Sequence, residues 1–401
     1  MSERWLQVLG AGPWQLPVIR CAQALGLRVL AVDREPGRPG FELADRHALC
    51  DLMDAEGQTR LAREHRVQGV LQPTSDIGVA AAAAAAEDLG LPGPGRRAAS
   101  LACDKGALFE AARAAGLAER RSERLQAGAP QPSWNGPCVV KPVDNQGGRG
   151  VSQVLRPQDL QAALQRAAAN SRSGRLLVDE WLMGDEYILD GLVQRGQLHA
   201  LGLARKRRDP DNPTVAVGID YLVGAEREAL LTRMMPPMQA LIEQANWGSS
   251  LLHAELIDAP QGLQLIDLAA RGGGAMIMSH ALPALLEADI GELAVRLALG
   301  EPVQVPRTPR LAVCIEFLRC PPGRFEAFEG LEALREQPGI VAVHQAAKSG
   351  QMVGIALDKD ARPGWLICIG SDLATARDEA ERARRSLRVR LQGVDPSLAL
   401  A

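Results

Sequence analysis

Val139-Val140-Lys141-Pro142-Val143-Asp144-Asn145-Gln146-Gly147-Gly148-Arg149-Gly150-Val151 is the stretch on which the reading of this chain turns. An apolar strand runs into a lysine, and a glycine-rich turn returns the chain to a second strand that begins at Val151. Glycines in such a hairpin let backbone N–H groups approach polyphosphate oxygens, and a lysine at the strand end offers a point charge to the same anion. This is not a Walker loop, because the lysine precedes the glycines and no Gly-Lys-Ser/Thr opens a helix. Alone, the segment fits an ordinary turn as well as a phosphate site.

Upstream, short apolar runs alternate with helical patterns, the signature of a parallel sheet with crossover helices. Leu6-Gln7-Val8-Leu9 reads as a strand, and Leu16, Ile19, Ala22 and Leu25 mark one face of a helix ended by Gly26. Leu27 to Val32 and Val67 to Gln72 read as further strands, the latter followed by an Ala-rich helix. Pro92-Gly93-Pro94-Gly95 punctuates the chain, and a helix is expected from Asp104-Lys105. Downstream, strands at Leu176–Val178, Tyr187–Val193 and Leu198–Ala204 suit an antiparallel meander. Short strands at Leu311–Phe317, Val341–Ala346, Met352–Ile355 and Trp365–Ile369 precede a charged helix over Ala374–Leu387, to which no chemistry is assigned.

Composition narrows the function. The 401 residues favour several domains, and 46% apolar with 23% charged residues is an ordinary globular balance. The formal net charge of -3 and scattered cations argue against nucleic acid as a partner. No apolar run is long enough to cross a bilayer and no export signal opens the chain, so a cytoplasmic protein without membrane contact is expected. Seven dispersed cysteines without a CxxC pair read as reduced thiols rather than a disulfide framework or zinc knuckle.

The hairpin gains meaning from its company. Asp104-Lys105 precedes it; Val178-Asp179-Glu180-Trp181-Leu182-Met183-Gly184-Asp185-Glu186, then His253-Ala254-Glu255, then Ile266-Asp267-Leu268-Ala269-Ala270-Arg271-Gly272-Gly273-Gly274 follow. This order resembles the ATP-grasp superfamily, in particular its carbamoyl-phosphate-synthetase-like and amino-acid-ligase branches. The resemblance implies mixed α/β and α+β architecture: an N-terminal βαβ parallel-sheet domain (1–103), a small grasp lobe with the phosphate loop (104–178), a main lobe with hinge and metal site (179–305), and a C-terminal α+β subdomain (306–401). It implies a carboxylate-amine ligase that uses ATP and magnesium, with manganese as a substitute, on small-molecule carboxylate and amine substrates. A carboxyphosphate-forming carboxylase and a nucleotide-binding scaffold are the rival readings, and a homodimer is allowed.

Site residues follow from the same resemblance. Lys105 and Lys141 match the ATP-binding lysines, and Gln146, Gly147, Gly148 and Gly150 match the loop over the phosphates. Asp179, Glu180 and Leu182 fall on the adenine hinge, and Glu186 matches the ribose acid. Lys206 matches a further triphosphate lysine, with Arg205 or Arg207 as alternatives. Glu255 and Asp267 are the expected metal ligands, and Arg271 is expected at the transferring phosphoryl or acyl phosphate group. The chain departs from the family at Ala269, where an asparagine oxygen is usual. Gln15, Asp76, Gly273 and His280 are expected to meet the non-nucleotide substrate. A dinucleotide reading of Gly10-Ala11-Gly12 with Asp33 fails because the third glycine would fall at Gln15. His47, His65, His199 and His344 read as surface or core residues, with His253 and His280 nearer the cleft.

Overall fold

The computed structural model describes residues 3–130, 132, 134–145, 147–210, 212–213, 215–274, 276–354 and 362–392. The expected strand end at Ile355 and the loop residue Gln146 lie outside them.

The N-terminal region is a four-stranded parallel sheet in the order Arg46–Leu49, Arg28–Asp33, Trp5–Leu9, Gly69–Leu71. Parallel strands need crossovers, which the helices Leu16–Ala24 and Ala55–Glu64 supply. The expected Ala-rich helix is Val79–Asp88, started by Gly78 at φ +93°, and its small buried side chains let it lie close against its neighbours. Four elements of this region escape the sequence reading: the helix Pro39–Leu43, the strand Arg46–Leu49, the helix Ala55–Glu64, and the helix Arg96–Cys103, which follows the Pro-Gly punctuation directly. The helix Ala55–Glu64 buries Gln58 and Thr59 rather than a large apolar stripe, so its periodicity is masked.

The small lobe is a four-stranded antiparallel sheet, Ser122–Gln126, Arg175–Glu180, Cys138–Pro142, Ser152–Val154. Trp134, Val140, Leu160, Leu164 and Val178 give it a core of its own. The large sheet has eight strands in the order Gly262–Ala269, Ser250–Ala259, Asp185–Gln194, Gln197–Arg208, Ala216–Tyr221, Ala312–Phe317, Gly364–Gly370, Ile340–Gln345. It therefore runs from the metal-ligand candidates at one edge to the C-terminal region at the other. Leu6, Ile19, Ile188, Ile277, Leu293 and Ile315 share one buried cluster, so the N-terminal sheet and the large sheet are joined by common packing while the small lobe is packed on itself.

Gly184, between the hinge and the strand Asp185–Gln194, sits at φ +149°, and a Cβ there would lie 2.1 Å from the Asp258 carbonyl oxygen. Backbone on one side cannot yield to backbone on the other. Gly184→Ala is expected to destabilise the chain by about 1–3 kcal/mol in denaturant unfolding; an unchanged midpoint would contradict this packing.

Candidate active site

Strand alternation places the first cation. In Cys138–Pro142, Cys138 and Val140 enter the small-lobe core, while Val139 and Lys141 line the cleft. Lys141 Nζ lies 2.8 Å from Asp179 Oδ2, with both side chains almost fully enclosed. Arg120 Nε approaches the same carboxylate at 3.4 Å, and Ser122 Oγ donates to its other oxygen at 2.6 Å. Asp179 thus lines the cleft with both oxygens engaged. Burial pushes its carboxyl upward, but the Lys141 and Arg120 cations outweigh that and the net shift is downward.

The glycine loop turns as its composition requires: Gly147, Gly148 and Gly150 have φ of +65°, +75° and +76°. Gly147 and Gly148 line the cleft. Gly150 is held by space as well, since a Cβ there would stand 2.6 Å from the Asn170 side chain. Asp104 caps the helix Lys105–Ala114 by accepting from the N–H of Gly106 and Ala107, which puts Lys105 at its first position. Lys105 Nζ then donates to Asn145 O at 3.1 Å, tying the helix to the start of the loop.

Glu255 and Asp267 are direct partners across two antiparallel strands. Lys105 Nζ reaches Asp267 Oδ1 at 2.9 Å, and Lys206 Nζ reaches Glu255 Oε1 at 2.9 Å and Glu186 Oε1 at 2.6 Å. Arg208 closes on the other oxygen of Glu186 at 2.7 Å. Alternation separates the cations of this strand: Lys206 and Arg208 line the cleft, Arg205 pairs with Glu226, and Arg207 pairs with Asp220 at 2.9 Å and Glu316 at 2.7 Å. Lys206 is therefore the one among the three candidates that faces Glu255. Burial would lower the Lys206 ammonium, yet Glu186 and Glu255 hold it above its ordinary range. Burial would likewise raise Asp267, and Lys105 brings it below.

The donor set suits a hard cation that shares its shell with phosphate. Among the described residues no three His, Cys, Asp or Glu side chains gather into a cage. Two opposed carboxylates, each partly open to the cleft, leave the other positions to phosphate and water, an arrangement magnesium accepts. Ala269, two residues beyond Asp267, lines the cleft and offers no side-chain oxygen.

The other half of the same cleft, about 1260 Å³ in all, is built from loops. Arg271 Nε donates to Asp76 Oδ1 at 2.6 Å, and Gln15 Nε2 donates to Thr74 Oγ1 at 3.0 Å. Gly272 N–H donates to Pro73 O at 2.9 Å, so the glycine run is pinned to the same N-terminal loop. Gly273 lines the cleft, and a Cβ there would meet Ile277 at 2.7 Å. His280 sits half-buried with Nδ1 2.8 Å from Ser279 Oγ, and Ser279 rather than the histidine lines the cleft.

Several lining residues carry no local motif. His253 lies 2.7 Å from Asp190, which also accepts from the buried Tyr221 hydroxyl at 2.5 Å. The C-terminal region, assigned no chemistry from sequence, contributes Phe317, His344, Arg362 and Trp365 to the cleft wall, and Trp14 approaches from the N-terminal loop. His344 is thus a cleft residue, which corrects its reading as surface or core. An exposed tryptophan in an aromatic-poor chain was the available signal for Trp14.

Residues 134–279 match the ATP-grasp domain family, and residues 316–392 match L-amino acid ligase C-terminal domain 2. The chain carries an ATP-grasp domain. A formate-dependent phosphoribosylglycinamide formyltransferase from Parasynechococcus marenigrum is 25% identical over 399 residues, covering 96% of this chain and 97% of its own. The crystal structure of an L-amino acid ligase from Bacillus licheniformis superposes with a TM-score of 0.81 at 18% identity, covering 98% of this chain and all, 100%, of that one. Phosphoribosylglycinamide synthetase from Anaerococcus prevotii superposes at 0.75 with 15% identity over 98% and 100% of the two chains. In this ATP-grasp chain no helix among the described residues is long and apolar enough to cross a membrane.

The depressed Asp179 carboxyl yields a stability test. Its folded pKa lies below the unfolded value, so its stabilisation is complete above about pH 4 and fades as pH falls through the folded value. Asp179→Asn leaves the buried Lys141 and Arg120 without their counter-ion and should cost about 3–5 kcal/mol at neutral pH. The gap between variant and parent should narrow on acidification below about pH 4 in thermal unfolding; a gap that is small or independent of pH would contradict the pairing.

Proposed function

We propose that this ATP-grasp enzyme is a magnesium-dependent carboxylate-amine ligase that forms an amide through an acyl phosphate. The observation that carries the reading is the opposed pair Glu255 and Asp267, each clasped by a lysine on the wall of one cleft. Glu255 and Asp267 would hold the magnesium, which when bound neutralises phosphate charge and orients the γ-phosphoryl group.

The chain's own residues do the rest. Lys105, Lys141 and Lys206 bind the polyphosphate, the backbone from Glu180 to Leu182 receives adenine, and Glu186 receives the ribose. Gly147, Gly148 and Gly150 close over the phosphates and exclude water, which protects the acyl phosphate from hydrolysis. Arg271, oriented by Asp76, stabilises the charge on the transferring group. A substrate carboxylate oxygen attacks the γ-phosphorus and ADP leaves. The amine nitrogen then attacks the acyl carbon, phosphate leaves with the C–O electron pair, and the nitrogen loses its proton. Gln15, Gly273 and the His280 region position the two small molecules.

The named substrates of the relatives differ, so the cleft must choose among acids and amines. Its non-nucleotide end is walled by aromatic rings with the Arg362 guanidinium over Phe317, which suits a molecule carrying an apolar side chain and a carboxylate, as an amino acid does.

Phosphate release, screened over paired acids and amines with ATP and magnesium, should depend on the pair and yield a condensed product by mass. Glu255→Gln should lower that release at least a hundredfold while retaining the fold; ATP bound with no ADP formed under any pair would instead support the scaffold reading. Ala269 generates a second test, because restoring an oxygen there adds a ligand beside Asp267. Ala269→Asn should reduce the magnesium needed for half-maximal rate several-fold, and an unchanged magnesium titration would place the metal elsewhere.

A further inference from the structure

The aromatic end of the cleft is built by cross-strand register. Phe317 is the direct partner of Trp365, and Trp365 is the direct partner of His344, so three adjacent strands present one row on one face. His344 and Trp365 ring centroids are 4.3 Å apart, and Phe317 meets Trp365 edge-on at 6.4 Å. Trp14 comes down on this row from the N-terminal loop, 6.2 Å from Trp365 with planes 24° apart and 5.4 Å from His344. In a chain with only six Trp and five Phe, two Trp and one Phe meet here.

This corner is separate from the charged half in chemistry but joined to it by contacts. Trp14 precedes Gln15, which holds Thr74; Asp76, two residues on, holds Arg271. Trp14 is 41% exposed, which leaves its ring open to a ligand, while Trp365 and Phe317 are buried and His344 is half-buried. Burial pushes the His344 imidazole down, aided by His280 and Arg335, so at neutral pH it offers an uncharged ring. Nothing in the phosphate chemistry requires this wall, which offers π faces with the Arg362 guanidinium 3.8 Å over the Phe317 ring.

We propose that Trp14, His344 and Trp365, backed by Phe317, form the side-chain subsite of this enzyme and select one condensing partner that carries a planar aromatic group. This rests on the ligase reading, since it names the substrate class of the same cleft. The aromatic partner can be the acyl donor or the amine, and the product distinguishes them.

The test uses the full chain in two arms. In the first, ATP, magnesium and glycine are combined with phenylalanine, tryptophan, leucine or serine, phosphate is measured, and the product is sequenced by mass fragmentation to show which partner holds the ring. In the second, phenylalanine and serine are titrated calorimetrically in the presence of magnesium and ADP. Phenylalanine or tryptophan should exceed serine in both arms by tenfold or more. Trp14→Ala should cut that selectivity about fivefold to tenfold, the size of one lost stacking pair, and Trp14→Phe should keep most of it. Equal handling of phenylalanine and serine, or selectivity untouched by Trp14→Ala, would overturn the subsite. Turnover confined to small partners would overturn it and leave the ligase intact. Phenylalanine binding that Trp14→Ala weakens, with no turnover of any pair, would support the subsite and overturn the ligase reading.

Discussion

Two carboxylates facing each other across adjacent strands, each held by a lysine, set the terms for everything else in this cleft. Glu255 and Asp267 cannot be ionised and partly buried without partners, and Lys206 and Lys105 supply them. The same lysines are expensive to bury alone. The fold therefore holds these acids and ammonium groups as salt links between them. A polyphosphate with its cation offers both sets better partners: phosphate oxygens for the ammonium groups and a divalent ion for the acids. In the proposed reaction, binding is an exchange of ion pairs rather than the creation of charge in an empty cavity, which limits the desolvation cost.

The groups of that exchange stand on two separately packed parts of the fold. Glu255, Asp267 and Lys206 stand on one eight-stranded sheet whose packing is continuous with the N-terminal domain. Lys141 and the glycine loop stand on the small lobe, which has its own core. Lys105 bridges the two, bonded at once to Asp267 and to the carbonyl of Asn145. In the proposed reaction, a nucleotide that draws Lys105 away from Asp267 would thus act on the loop start and on Asp267 together.

Much of this was legible in the chain, for identifiable reasons. The parallel N-terminal domain shows because buried strands are apolar runs, and the hairpin shows because its glycines sit where the turn needs positive φ. Glu255 and Asp267 stood out as acids inside apolar strands. What stayed hidden depends on pairing between remote segments. Four consecutive cations, Arg205, Lys206, Arg207 and Arg208, look alike until strand register turns Lys206 and Arg208 into the cleft and brings Lys206 onto Glu255. Asp179 read as a hinge residue, and only the structure shows its carboxylate engaged by Lys141, Arg120 and Ser122. The aromatic wall joins positions 14, 317, 344 and 365, so no window of sequence contains it, and the helix Ala55–Glu64 was missed because its buried face is largely polar.

A structure of the chain with magnesium and a non-hydrolysable ATP analogue tests the ion-pair exchange directly. The account predicts that the ammonium groups of Lys105 and Lys206 move onto phosphate oxygens while Glu255 and Asp267 bridge to the metal. Lysines still bound to their carboxylates, with metal and phosphates seated elsewhere, would contradict it.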